Sequence, residues 1–356
     1  MCGRCRRQLT LACLAGVVAA PGAGAARGGM VFAALELDVP GMVAESDVVA
    51  IVAPGEGVPE PGAAQGAEPT YYAMVLRVLK GPAGLVGDQV RWSAPAPYGR
   101  FGWPDPSRSV RGLALLKVTA EGAYELTHPT CGYIPLSPTP PDGEVVGGDL
   151  IEVIRAEMLH CLKGADWELA YMAAQRLGFF PPDAATEEAL IELLPRLEPG
   201  LAATASAALV RMSSARGLEA AVELLQRPPM PDAVSSEARD RLVSAVWGLS
   251  DERCVRDVAR LMKAEEADVR QGAAHALGNM ASPEAVKALG EALWDTDQMV
   301  RYRAVESLCE ITCTRPGAPI FTIYEEEEQK YLGFWRKWYE EVGRPGIGEP
   351  DGEQRE

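Results

Sequence analysis

The sequence predicts an α+β protein with two domains: a small antiparallel β barrel or sandwich, followed by an all-α solenoid with a C-terminal capping helix. The helical part is predicted by an internal repeat. Val269 and Arg270 recur as Val300 and Arg301, an offset of 31 residues. This period is typical of stacked helix pairs that bury their apolar faces against neighbouring pairs. The β part is predicted by short apolar runs, interrupted by glycine and proline, within residues 35–145.

The start of the chain, residues 1–25, is predicted to be a signal peptide. Arginines without any acidic residue precede an apolar run over residues 9–20, and Ala25 stands at the expected cut. The run is too short to span a bilayer, so we expect an exported chain whose mature part has no integral membrane segment. Sec and twin-arginine export both remain open, whereas the residues before Cys13 fit a lipidation motif poorly.

Charge and motifs limit the classes of function. The 356 residues carry a formal net charge of −16, which disfavours nucleic acid and anionic membranes as partners because both attract lysine and arginine. The sequence has no glycine-rich phosphate loop, nucleophile elbow or paired CxxC motif. We therefore expect a protein or peptide partner, no catalytic site, no metal and no cofactor.

Short strands are expected between the signal peptide and residue 145. The second alternates, with Tyr72, Met74, Leu76 and Val78 on one face. Five such strands with glycine and proline between them indicate a small antiparallel barrel or sandwich. They are expected at residues 48–53, 71–79, 89–93, 113–118 and 124–128.

This region resembles the small OB-like, netrin-like or TIMP-like barrels found at the start of many exported bacterial proteins. The resemblance rests on residues 46–50, on the alternating strand that ends in Lys80-Gly81-Pro82, and on residues 112–116. Animal members of this class inhibit metalloproteases through a cysteine at the mature N-terminus. This chain has no cysteine there, so the resemblance does not imply inhibition.

An aromatic loop interrupts the predicted strands at residues 97–104. Its aromatic side chains are candidates for stacking on a sugar or holding a peptide, since such rings give a large contact area at little entropic cost. The alternative is a hairpin loop that folds its own rings over the barrel. The residues of this candidate binding loop are Tyr98, Phe101 and Trp103.

Helical spacing continues through residues 149–313, with Asp149 placed as the first N-cap. Paired helices precede the clear repeat and share its spacing. They are expected at residues 168–178 with 187–197, 201–212 with 217–225, and 238–247 with 253–262.

These units share a Val-Arg element and an Ala-Ala-x-x-Leu-Gly element. In both they resemble HEAT repeats, of the short kind seen in phycobilin-lyase-like proteins. The resemblance implies that one recurring arginine per unit pairs with an acidic residue at a repeat junction; a phosphate-binding ladder is the alternative. The candidate arginines are Arg239, Arg270 and Arg301, with Asp268, Asp295 and Asp297 as available acids.

A tryptophan-rich helix is expected at residues 324–342, followed by a disordered tail at residues 343–356. Tyr331, Trp335 and Trp338 fall at helical spacing, behind an acidic first turn. Such a helix could bind a membrane or a partner. We interpret it as a cap, because the last unit of a solenoid otherwise exposes an apolar end.

An odd number of cysteines, five, follows the signal peptide. In an exported chain, Cys131 and Cys161 could form a disulfide that ties the β domain to the helices. Cys309 and Cys313 lie one helical turn apart. Two thiolates without nearby partners make an incomplete zinc site, so we favour apolar packing for this pair.

Three functional hypotheses follow. The first is an exported, non-enzymatic adaptor that binds protein or peptide on the solenoid. The second places binding of a glycan, peptide or protease on the β domain, with the solenoid as spacer. The third is an enzyme of unrecognised type. Some HEAT proteins hold iron with His-Glu pairs, but His128, His160 and His275 are not followed by glutamate.

Overall fold

A computed structural model describes residues 38–55, 70–93, 109–128, 131–142, 149–228, 233–313 and 318–344. The predicted signal peptide and residues 345–356 of the predicted tail lie outside these segments. The described N-terminal part contains a short helix and six strands. They are α1 (Val39–Glu45), β1 (Val48–Pro54), β2 (Thr70–Lys80), β3 (Gln89–Ser93), β4 (Gly112–Val118), β5 (Tyr124–Leu126) and β6 (Tyr133–Pro135).

The strands form one antiparallel sheet in the order β3-β2-β1-β4-β5, and β6 also pairs with β4. The end strands β3 and β5 contact each other, so the sheet is nearly closed into a barrel. The predicted fold class is confirmed. Sequence patterns do not reveal β6, which has three residues, or α1, whose Pro40 and Gly41 read as turn residues. Pro40 is tolerated in α1 because it lies in the first turn, where Asp38 accepts the Gly41 N–H at 2.9 Å.

Both faces of the central strands are buried, which explains their unbroken apolar sequences. From β1, Val48 and Val52 point into the barrel, where Trp92 also packs. Val49 and Ile51 point outward and pack in a second core with α1 and the first solenoid helix. The β region therefore shares a hydrophobic core with the helices.

Strand β2 alternates as predicted, but its larger apolar side chains face outward. Met74 and Leu76 are 49% and 47% exposed, whereas Tyr71 and Val75 are buried in the barrel. The narrow interior is filled from the opposite face of β2, so the alternation alone does not identify the buried side.

The junction between the sheet and the helices is held by packing and by a buried ion pair. Arg111, next to β4, donates from Nη1 to Glu157 of the first solenoid helix at 2.8 Å. Cys131 and Cys161 are both buried and are not joined by a disulfide, so the covalent tie that this pair could have made is not formed. Cys161 Sγ accepts the Ser137 N–H at 3.2 Å, and burial raises the pKa of this thiol to about 11.

The described residues from 149 onward form helices in antiparallel pairs. Asp149 caps the first helix by accepting the Ile151 N–H at 3.3 Å. The third helix ends at Leu193, and Pro195 lies in the 3₁₀ turn that follows. The helices are α2 (Leu150–Lys163), α3 (Trp167–Leu177), α4 (Ala184–Leu193), α5 (Pro199–Arg211), α6 (Ala215–Leu225), α7 (Ala233–Trp247), α8 (Val255–Leu261), α9 (Ala267–Met280), α10 (Ala285–Ala292), α11 (Gln298–Thr312) and α12 (Phe321–Trp338).

Helices α3, α5, α7, α9 and α11 form one row, each packed on the next. Small residues permit close approach: a Cβ on Gly178 would lie 2.7 Å from Ala208 Cα, and one on Gly278 2.3 Å from Ser307 Oγ. Helices α4, α6, α8 and α10 contact one another less extensively. We call the first set the inner row, because its helices pack most closely on one another.

Helix α12 covers the last pair. Trp335 is buried in the solenoid core, and Tyr331 and Trp338 pack partly buried against it. Arg336 Nη2 donates to the carbonyl of Leu293 at 2.7 Å, which satisfies a carbonyl at the end of α10. A π-helical turn, Tyr339–Gly343, extends the helix.

Candidate interaction surface

Three inner-row helices each carry an arginine that joins successive elements of the stack. Arg270 of α9 shows the arrangement. Its Nε and Nη2 donate to the carboxylate of Asp295 at 2.7 and 2.8 Å. Its Nη1 donates to the carbonyls of Ala264 and Glu265, which follow α8, at 2.9 and 2.7 Å. This arrangement, which we call an arginine junction, satisfies carbonyls of the loop between α8 and α9 and binds the acid that precedes α11.

Arg239 of α7 repeats the arrangement one unit earlier. Its Nη1 and Nη2 donate to the carbonyls of Leu224 and Leu225 of α6, both at 2.9 Å. Its Nε donates to Glu266, immediately before α9, at 2.7 Å. The same device therefore ties α6, α7 and α9 together.

Arg301 of α11 completes the series with an acceptor from the capping helix. Its Nη1 donates to the carbonyls of Asp295 and Thr296 at 2.8 and 3.0 Å, and its Nε donates to Glu328 of α12 at 2.8 Å. Tyr324 Oη also donates to Glu328, at 3.1 Å.

The three recurring arginines are thus engaged in ion pairs between elements. The hydrogen bond to Asp295 raises the pKa of Arg270. Two of the acids offered as partners have other roles: Asp297 Oδ1 caps α11 by accepting the Val300 N–H at 3.0 Å, and Asp268 Oδ1 accepts the Val269 N–H at 2.9 Å. Sequence reasoning missed Glu266 and Glu328, because each lies in an acidic stretch with several equivalent candidates.

Aromatic and cationic side chains cover the inner row between α7 and α11. The rings of Trp247 and His275 lie 5.0 Å apart, and the Arg303 guanidinium lies 5.1 Å from the Trp247 ring. Burial, together with the charge of Arg303, lowers the pKa of His275. Gly272 makes this possible, because a Cβ there would lie 2.4 Å from Trp247 Cδ1. His275 is therefore a packing residue at the repeat surface.

Other candidate residues are placed as follows. Tyr98, Phe101 and Trp103 lie outside the described residues. Cys309 is buried and Cys313 is exposed; burial raises the pKa of Cys309 to about 11. No His, Cys, Asp and Glu side chains in the described segments form a group of three or more suited to a metal ion. Nor does any described helix combine the length and the apolar character needed to cross a membrane.

The regular spacing of the arginine junctions agrees with a comparison with known families. The family model for HEAT repeats matches residues 232–309. The matched segment contains α7 to α10 and most of α11, and thus the three arginines of the junctions.

Solved structures that match part of this chain include one natural and two engineered proteins. A chain of the phycocyanin lyase complex of CpcE and CpcF from Nostoc sp. PCC7120 is 17% identical, with a TM-score of 0.36 over 54% of this chain and 74% of that one. An engineered protein is 21% identical, with a TM-score of 0.33 over 55% and 91%. A designed armadillo repeat protein, solved with the peptide (KR)4, is 19% identical, with a TM-score of 0.33 over 52% and 91%. The search of curated proteins found no match.

Proposed function

We propose that the protein is an exported, non-catalytic adaptor that binds a protein or peptide partner on its inner row. The observation that carries this proposal is the close-packed row of helices, fixed by three arginine junctions. Repeat stacks of this kind present an extended surface to which successive units contribute side chains. Ser244, Asn279 and Glu310, from α7, α9 and α11, are exposed and supply such positions.

The location of the protein is part of the proposal and rests on residues 1–25. Edman sequencing of the protein recovered from the exported fraction should begin at Ala26. A protein that keeps its original N-terminus and stays inside the cell would contradict export without affecting the proposed binding surface.

Binding on the inner row can be tested by affinity capture from the exported fraction with the full chain and surface variants. Deleting the solenoid is unsuitable, because the sheet shares a core with α2 and α3. Ser244→Trp and Asn279→Trp place bulk on the inner row, whereas Glu223→Trp and Lys287→Trp place it at exposed positions of α6 and α10. Loss of the captured partner with the first pair alone supports the proposal, and equal capture by all variants contradicts it.

A further inference from the structure

The inner row carries an aromatic and acidic surface across α7, α9 and α11, with Trp247 at its centre. The Trp247 indole lies 5.0 Å from the His275 ring and 5.1 Å from the Arg303 guanidinium. Arg303 in turn donates from Nη1 to Glu306 at 2.6 Å. These distances place side chains of three successive inner-row helices next to one another on one surface.

Two exposed carboxylates lie at one end of this surface. A Cβ on Gly272 of α9 would lie 3.4 Å from Val243 Cγ1 and 2.4 Å from Trp247 Cδ1, so Gly272 packs against that side of α7. One turn toward the N-terminus of each helix, this register brings Asp240 of α7 beside Asp268 of α9. Both side chains are exposed, and within the described segments neither forms an ion pair. Burial, and after it the charge of Asp268, raises the pKa of Asp240.

Glu310 adds an exposed carboxylate at the opposite end. It lies one turn beyond Glu306 on α11, so these two carboxylates have the Arg303 guanidinium between them, and Arg303 is bound to Glu306. Glu310 itself forms no ion pair with a described residue. Burial, together with the charge of Glu306, raises the pKa of Glu310, as is expected of a carboxylate without a counter-cation.

The positive groups beside these carboxylates are already engaged. Arg303 binds Glu306, and Arg241 is paired with Glu237 at 2.6 Å. His275 is uncharged at neutral pH, because burial and the charge of Arg303 lower its pKa. The exposed carboxylates at the two ends of the surface therefore lack a counter-charge from the described part of the chain.

The chemistry of this surface favours a basic segment of a protein. Ammonium and guanidinium groups pair with exposed carboxylates, and the aliphatic stems of lysine and arginine pack on aromatic rings. The half-buried Trp247 supplies such a ring between the two acidic ends, and it already holds one guanidinium, that of Arg303. The net charge of −16 on the whole chain also attracts a basic partner from a distance.

We propose that this surface binds a basic segment of the partner protein. Lysine or arginine side chains of the partner pair with Asp240 and Asp268 at one end and with Glu310 at the other, and the segment between them crosses Trp247. The inference rests on the proposed function of the inner row and specifies the chemistry of its partner.

The experiment selects random peptides displayed on phage against the full purified chain, and then titrates the synthesised winners by fluorescence anisotropy. We expect lysine and arginine to be enriched, and binding to weaken as salt rises. Joint substitution of Asp240→Asn and Asp268→Asn should weaken binding about tenfold. The matched control, Glu219→Gln with Glu223→Gln, removes the same charge from exposed positions of α6 and should change binding less than about twofold.

Glu310→Gln tests the other end of the surface independently, should the change at Asp268 disturb the start of α9. This variant should weaken binding about threefold. Circular dichroism of each variant should match that of the unaltered chain, because all the altered side chains are exposed.

The outcomes separate the two proposals. Enriched peptides without a basic bias, blocked by Ser244→Trp and Asn279→Trp, would overturn the basic partner and leave the inner row standing. Basic peptides weakened equally by the α6 pair and by the Asp240 and Asp268 pair would also overturn it, because overall charge alone would then explain binding. Failure to enrich any peptide that depends on the inner row contradicts the proposed function itself.

Discussion

Arg301 Nε donates to Glu328 at 2.8 Å, so the capping helix α12 supplies the acid that the next repeat supplies elsewhere. In the two preceding arginine junctions the acceptor lies just before the following inner-row helix, at Glu266 and Asp295. Helix α12 thus ends the stack in two ways. It covers the apolar surface of the last helix pair, and it supplies the acid for the last recurring arginine.

Breaking this contact should destabilise the chain. Arg301→Ala leaves Glu328 shielded without its cation, and we expect the free energy of unfolding to fall by about 1–3 kcal/mol. Arg256→Ala is the control, because its ion pair is exposed, and should change stability by less than about 0.5 kcal/mol. Urea unfolding measures both variants. Equal effects would mean that the junction does not stabilise the cap.

Gly272 should be intolerant of a side chain. Gly272→Ala places a Cβ 2.4 Å from Trp247, so the indole must move, at a cost of about 1–3 kcal/mol. Gly333→Ala in α12 meets nothing within 4 Å and should stabilise the helix by about 0.5–1 kcal/mol. Tryptophan fluorescence during urea unfolding reports both effects. A neutral Gly272→Ala would refute the packing of Trp247 on α9.

The sheet and the solenoid should unfold together. Glu157→Ala leaves Arg111 buried without its partner and should cost about 3–5 kcal/mol. Glu188→Ala breaks an exposed pair with Arg216 at 2.8 Å and should cost less than about 1 kcal/mol. Differential scanning calorimetry should show one transition that Glu157→Ala shifts as a whole. Two transitions, with only one shifted, would contradict the shared core.

Acid should weaken the Arg270 junction. Burial alone would raise the pKa of Asp295, but hydrogen bonds from Arg270 and the Asp297 N–H, with the charges of Arg270 and Arg301, hold it below its ordinary value. Because the pKa of Asp295 is lower in the folded chain than in the unfolded chain, its ionised carboxylate stabilises the fold. This stabilisation is complete above the unfolded pKa of about 3.9 and is lost as the pH falls through the folded pKa. Asp295→Asn should therefore destabilise the chain at pH 7 and much less at pH 2. A loss of equal size at both pH values would contradict this assignment.

The solenoid could largely be predicted because its sequence pattern repeats at a fixed interval. Val269 and Val300 occupy equivalent buried positions in α9 and α11, and the offset between them sets the register of both helices. The cap was also predictable, since Trp335 and its neighbours repeat at helical spacing. Periodicity of this kind reports which face is buried as well as where a helix lies.

Features that depend on tertiary contacts were not predictable. Met74 and Leu76 look like core residues, but the barrel interior has room for Ala73 and Val75 instead. The choice of Glu328 within the acidic stretch 325–328 is set by how α12 lies on α11.

Binding on the inner row is tested most directly by site-specific photocrosslinking in the full chain. A photoreactive phenylalanine at Ser244 or Asn279 should crosslink to a partner in the exported fraction, whereas the same group at Glu223 or Lys287 should not. Crosslinks from Glu223 and Lys287, with none from Ser244 and Asn279, would contradict the account.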